Sequence, residues 1–283
     1  MAAVRDLISP ESLAELLPEA TVLDVRWQMG RSDGREQYLA GHVPGAAYVD
    51  LPTELSDPPA APVDGRGRHP LPDLERFGRA MRRAGVTTGR PVVVYDDTSG
   101  LAAARAWWLL RHHGHDDVLL LDGGWSAWVA SGGHVEEGEG PVVNGDFEPA
   151  PGRLPVLDAD GAESAARSGV LLDARAPERF RGDVEPVDPV AGHVPGARNV
   201  PTSANLGDGS GARFRPEEDL REVYADALRA ADTGAVVGVS CGSGVTAAHD
   251  AFVLHALGVE AALYAGSWSG WTSDPERPVE TGD

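Results

Sequence analysis

Short apolar, β-rich runs recur along the chain, with helix-periodic stretches between them. VLDV (22–25), PVVVYD (91–96) and VLLLDGG (118–124) read as strands, and so do VLLDA (170–174), AVVGVS (235–240) and AALYAG (261–266). LPDLERFGRAMRRAG and SGLAAARAWWLLRHHG predict helices, with PEEDLREVYADALRAA and VTAAHDAFVLHALG as later counterparts. Alternation of this kind predicts an α/β fold built on doubly wound, mainly parallel sheets flanked by helices. Such sheets bind ligands where loops leave the carboxyl ends of their strands.

The pattern recurs because the sequence does. AGHVPGA occupies residues 40–46 and again 191–197, an offset of 193 − 42 = 151 between His42 and His193. TVLDVR (21–26) answers VLLDAR (170–175), PVVVYDDTSGLAAARA (91–106) answers AVVGVSCGSGVTAAHD (235–250), and LDGGWSAW (121–128) answers YAGSWSGW (264–271). Blocks repeated in one order mean duplicated domains. Residues 1–140 and 156–283 are expected to form them, joined by a linker at 141–155 within a stretch rich in Gly, Pro and Glu.

Composition narrows the function classes. The 283 residues carry 44 acidic side chains against 24 Lys and Arg, a net charge of −20 that repels phosphate backbones and argues against nucleic acid as a partner. No apolar run approaches a membrane span, and the N-terminus lacks the pattern of a secretory signal, so no membrane association and a cytoplasmic location are expected. The single cysteine, Cys241, excludes an internal disulfide and fits a reducing compartment.

Cys241 lies in GVSCGSGVT, where a predicted strand ends and a predicted helix begins. A helix N-terminus presents unpaired N–H groups and a partial positive charge, and Gly242 and Gly244 let backbone amides converge with no Cβ in the way. Ser243 and Thr246 add hydroxyls. Such a cup suits an anion, and the thiolate is the nucleophilic form of cysteine. Superposing TSG on GSG sets Asp97 opposite Cys241, so the thiol belongs to one of two otherwise similar loops, and the second domain is expected to be the catalytic one.

Taken together, the DVR and DAR segments, the paired AGHVPGA blocks, GGWSAW and GSWSGW, and the loop CGSGVT resemble the tandem-domain rhodanese family of sulfurtransferases over nearly the whole chain. The resemblance implies two rhodanese-like domains, the first inactive. It also implies a cysteine that takes sulfur from a small-molecule donor as a persulfide and passes it to cyanide, a small thiol or thioredoxin, without metal or organic cofactor. The active-site loop would be Gly242, Ser243, Gly244, Val245 and Thr246, and CGSGVT is similar to the 3-mercaptopyruvate subtype. A thiosulfate enzyme, or a sulfur-carrier module that does not turn over, is the alternative.

For the donor's carboxylate the resemblance implies Arg179, in DARAPERFRG, with Arg181 and Arg175 nearby. Arg175 also reads as a structural ion pair, because Arg26 matches it in the first half. The second arginine usual in the mercaptopyruvate subtype is missing from VEPVDPV (184–190). Ser243, His42 and Asp33 resemble that subtype's proton relay, although a histidine shared by both halves also reads as part of a turn. HHGH (112–115) reads as a polar cap, not a metal site, and a cysteine phosphatase is disfavoured because Ala247 stands where its loop needs arginine.

Overall fold

A computed structural model describes residues 4–140, 144–209 and 212–283. The expected linker at 141–155 therefore begins on residues outside those described.

Each half forms one five-stranded sheet in which every pairing is parallel. The first contains β1 (Leu7–Ile8), β2 (Thr21–Asp24), β3 (Ala47–Tyr48), β4 (Val92–Tyr95) and β5 (Val118–Leu121), in the order β1-β5-β4-β2-β3. The second contains β6 (Val156–Leu157), β7 (Val170–Asp173), β8 (Arg198–Asn199), β9 (Val237–Ser240) and β10 (Ala262–Tyr264), in the matching order β6-β10-β9-β7-β8. The fold is thus a pair of α/β units, with helices covering the sheets.

All residues of β4 and β9 are buried, which is why these central strands read as unbroken apolar runs. Each leads into a helix, Ala103–His112 and Ala247–Ala256 respectively, and nine of the ten residues in each helix are buried. A helix buried all round has neighbours on every side. These two pack on each other, with Trp107 meeting Phe252 edge-on at 5.0 Å, and one hydrophobic cluster runs through both halves. At about 25 cal/mol per Å², burying an aromatic of roughly 200 Å² is worth about 5 kcal/mol before entropy is counted. The junction between the halves is therefore core, and it carries the Cys241 loop at one end.

His112, His113 and His115 each set a ring nitrogen on a backbone carbonyl, those of Leu154, Leu109 and Arg90, at 2.9, 2.7 and 3.0 Å. Burial pushes all three below the usual histidine range. Among the described residues no helix is long and apolar enough to cross a membrane.

Candidate active site

Cys241 follows β9 directly, and the chain then curls through Gly242 to Thr246 into the helix Ala247–Ala256. The curl brings two amides onto the sulfur: Sγ accepts from the N–H of Gly244 at 3.1 Å and of Ser243 at 3.4 Å. Gly244 is required here. Its φ is +78°, and a Cβ would lie 2.4 Å from the Ala265 carbonyl oxygen. Val245 turns into the core, and Thr246 precedes the helix without a side-chain capping bond. Beneath the thiol, Ser267 Oγ accepts from the Cys241 N–H at 3.0 Å and stands 3.9 Å from Sγ.

The rest of the site comes from the other half. Gly67 and Gly270 let the segment 64–69 lie backbone to backbone against the helix Ser267–Trp271: a Cβ on Gly67 would fall 2.4 Å from Gly266 O, and one on Gly270 2.5 Å from Gly65 O. The Arg68 N–H donates to Ser269 Oγ at 3.1 Å, and His69 Nδ1 is 2.9 Å from Ser243 Oγ. Burial, with the charges of Arg105 and Arg68, pushes His69 down to about 4, so its ring is neutral at physiological pH. Among the described residues no carboxylate bonds this ring, which makes the arrangement a Ser243–His69 pair and not a triad.

Arg105 is fully buried in the helix Ala103–His112 and ties these parts together. It donates to Gly244 O at 3.1 Å, to His69 O at 3.1 Å, to Pro70 O at 3.3 Å and, more weakly, to Leu55 O at 3.4 Å. Burial pushes it down to about 10, opposed by the neighbouring Cys241, and it remains charged at neutral pH. One cation thus fixes both the Cys241 loop and the strap that carries His69.

The expected relay needs correction. His42 is fully buried, places Nδ1 2.9 Å from Tyr38 O and stacks on Tyr38 at 4.0 Å; His193 repeats this with Phe180 at 2.7 and 3.7 Å. Both rings fix the same structural turn, and Ser243 takes His69 instead. Asp33 pairs with Arg31 and Gln37 at the rim of a first-half cleft of about 320 Å³, and its carboxyl is held low by Arg31.

The arginines separate cleanly. A Cβ on Gly242 would be 3.7 Å from each Nη of Arg179, so Arg179 faces the loop. Arg175 does not: it grips Asp173 at 2.7 Å and Gly192 O at 2.7 Å, as Arg26 grips Asp24 and Gly41 O, both at 2.6 Å. Arg181 turns outward to Asp183 at 2.8 Å. Both are thus held by carboxylates of their own half, Arg175 by Asp173 and Glu185 and Arg181 by Asp183.

The position opposite the thiol also shifts by one. Asp24 pairs in register with Tyr95 and Asp173 with Ser240, and the Trp125 and Trp268 amides donate to Asp96 O and Cys241 O at 2.8 and 2.9 Å. Asp96, not Asp97, therefore occupies the cysteine's place, and the first-half loop is one residue longer before its helix. Asp97 turns instead to Ser126 Oγ at 2.6 Å.

Sequence reasoning missed Arg68, His69, Arg105 and Ser267. The signal for the first two was GRGRH, a basic, glycine-spaced stretch in an otherwise irregular segment.

Rhodanese-like domains match residues 9–131 and 158–274. The chain is 45% identical to a putative thiosulfate sulfurtransferase, SseB, of Mycobacterium tuberculosis, over 98% of this chain and 97% of that protein. It is equally 45% identical to a probable 3-mercaptopyruvate sulfurtransferase of Pseudomonas aeruginosa, over 98% of each. Among solved structures, the 3-mercaptopyruvate sulfotransferase SseA from Escherichia coli aligns with a TM-score of 0.78 at 33% identity, covering 93% of this chain and 99% of that one.

Proposed function

This chain belongs to the tandem-domain rhodanese family and is a sulfurtransferase acting on a small-molecule sulfur donor, and from that premise we propose that the donor is 3-mercaptopyruvate and the sulfur carrier a Cys241 persulfide. The Cys241 thiolate attacks the donor's sulfur. A new S–S bond forms as the C–S bond breaks, and the bonding electrons pass to carbon as the enolate of pyruvate. The proton that was on the donor's thiol is transferred to that enolate, leaving pyruvate and an anionic persulfide. The acceptor, cyanide, a small thiol or a thioredoxin in the cytoplasm, then attacks the terminal sulfur and restores the thiolate.

The observation that carries the choice of donor is the Ser243–His69 contact of 2.9 Å beside the thiol. An enolate needs a proton as it leaves, whereas the sulfite released from thiosulfate does not. A hydroxyl bonded to a neutral imidazole can relay that proton. The amides of Ser243 and Gly244, already on Sγ, suit the negative charge of a persulfide as they suit a thiolate. In this reading the first domain, residues 1–140, supplies the relay histidine, and residues 156–283 supply the sulfur chemistry.

Intact-mass measurement after mixing with 3-mercaptopyruvate should show one added sulfur atom, lost in Cys241→Ser. His69→Gln should lower kcat with 3-mercaptopyruvate by roughly 10²-fold and lower it far less with thiosulfate. An equal loss with both donors, or a wild-type preference for thiosulfate, would sink this donor assignment in favour of a thiosulfate enzyme. Stoichiometric loading without cycling would favour the carrier reading.

A further inference from the structure

The charges over Cys241 are arranged unusually for a site that must admit an anion. Glu185 is built into its position: it accepts the N–H groups of Val187 and Asp188, both at 3.0 Å, and pairs with Arg179 at 2.6 Å and Arg175 at 3.4 Å. Asp188 is held differently. Its Oδ1 takes Arg68 Nη1, its Oδ2 takes Arg179 Nη2 at 3.3 Å, and no other hydrogen bond among the described residues reaches either oxygen.

A single carboxylate is therefore shared between two guanidinium groups above the catalytic loop. A Cβ on Gly242 would lie 3.2 Å from Arg68 Nη2 and 3.7 Å from both Nη atoms of Arg179. Two guanidinium groups that converge on one carboxylate can hold it with several charge-assisted hydrogen bonds. Asp188 stands in the segment VEPVDPV, which contains no arginine. The second arginine comes from the other half of the chain.

Resting on the sulfurtransferase reading, we infer that Arg68 and Arg179 form the donor's carboxylate clamp, one arginine from each half, and that Asp188 fills it at rest and is displaced by the donor. Charge balance agrees. Arg68, Arg105, Arg175 and Arg179 against Asp173, Glu185 and Asp188 leave 4 − 3 = +1, and withdrawing Asp188 raises this to +2 for an incoming carboxylate. There is also room to withdraw. A cavity of about 340 Å³ lined by Pro62, Arg68, Val187 and Asp188 adjoins the pair, and the flanking Val184, Val187 and Val190 are exposed.

The test compares 3-mercaptopyruvate with mercaptoacetone, the same α-ketothiol without a carboxylate, and separately measures calorimetric binding of pyruvate to the Cys241→Ser protein. Losing one charge-assisted bond corresponds to roughly 10- to 100-fold. Arg68→Ala should lower the mercaptopyruvate-to-mercaptoacetone ratio of kcat/KM by about that factor, with Arg68→Lys intermediate. Asp188→Asn should raise the ratio several-fold, and Arg68→Ala should abolish that gain. Pyruvate affinity should follow the same order. A ratio and a pyruvate affinity unmoved by Arg68→Ala, or lowered by Asp188→Asn, would overturn the clamp. Because pyruvate binding needs no sulfur transfer, an error in the proposed function shows separately, as wild-type protein that gains no sulfur.

Discussion

The two strand-end loops, one after β4 and one after β9, turn their backbone amides onto different side chains. In the first half the Asp96 carboxylate fills the cup: Oδ1 accepts from Thr98 and Gly100 at 2.8 and 2.9 Å, and Oδ2 from Ala102 and Ala103 at 2.7 and 2.9 Å. Burial pushes that carboxyl up, and the four amides pull it back toward the charged form. In the second half Cys241 takes two amides. A carboxylate saturates the turn with four amides, whereas the Cys241 sulfur, with two, leaves it short of full, which in the proposed reading keeps it open to another sulfur.

The largest effect should come from exchanging the anions. Cys241→Asp should remove sulfur transfer completely while the protein stays folded, because a carboxylate already fills the equivalent turn at Asp96. Asp96→Cys, made in the Cys241→Ser background, should gain no sulfur from 3-mercaptopyruvate by intact mass, since Arg68 and His69 attend only the other loop. Sulfur gained by the thiol introduced in the first-half loop would show that the cup alone suffices. The asymmetry would then lie in the anion and not in the attendant groups.

The halves also reach across to each other unequally. Arg105 crosses to Gly244 O at 3.1 Å, and at the matching helix position His249 Nε2 crosses to Ser99 O at 3.2 Å. Arg105 serves several carbonyls with a buried charge, so Arg105→Met should cost about 3 kcal/mol in urea unfolding and also impair sulfur transfer. His249→Ala should cost about 1 kcal/mol and leave Gly244 in place. Burial holds His249 down at about 4, below its unfolded value of about 6.5, so the unfolded chain binds the extra proton as the pH falls. Its contribution is complete above about 6.5 and is lost toward 4. His249→Ala should therefore flatten the acid limb of stability over that window. Equal costs for the two variants would remove the inequality.

What the sequence made legible was local. The central strands announce themselves as apolar runs, the repeat fixes the pairing of the halves, and Cys241 stands out as a lone thiol among glycines. The unreadable part depended on contact between distant segments. Arg68 and His69 sit in an irregular stretch without periodicity, and they become site residues only because Gly67 and Gly270 let two backbones touch. His42 drew attention through a motif whose work is the same in both halves. Matching TSG to GSG sets Asp97 against the thiol and hides the extra residue in the first-half loop, which only strand register reveals.

The smallest effect should come from making the two loops alike beneath the anion. Ser267 has φ +50°, and its counterpart, Gly124, has φ +58°. A non-glycine residue in this region carries about 1 kcal/mol of strain, so something must hold Ser267 there. Its Oγ accepts from the Cys241 N–H at 3.0 Å and gives its proton to Tyr264 O at 2.9 Å, leaving the contact to Sγ, 3.9 Å away, as the weaker one. Ser267→Gly relieves the strain and loses bonds of similar worth, so stability should change by less than about 1 kcal/mol. Sulfur loading should slow only a few-fold, because the hydroxyl is lost from beneath the attacking sulfur. A loss as large as that in Cys241→Asp would mean that Ser267 Oγ, and not the amides of Ser243 and Gly244, is the group on which the reactive anion depends.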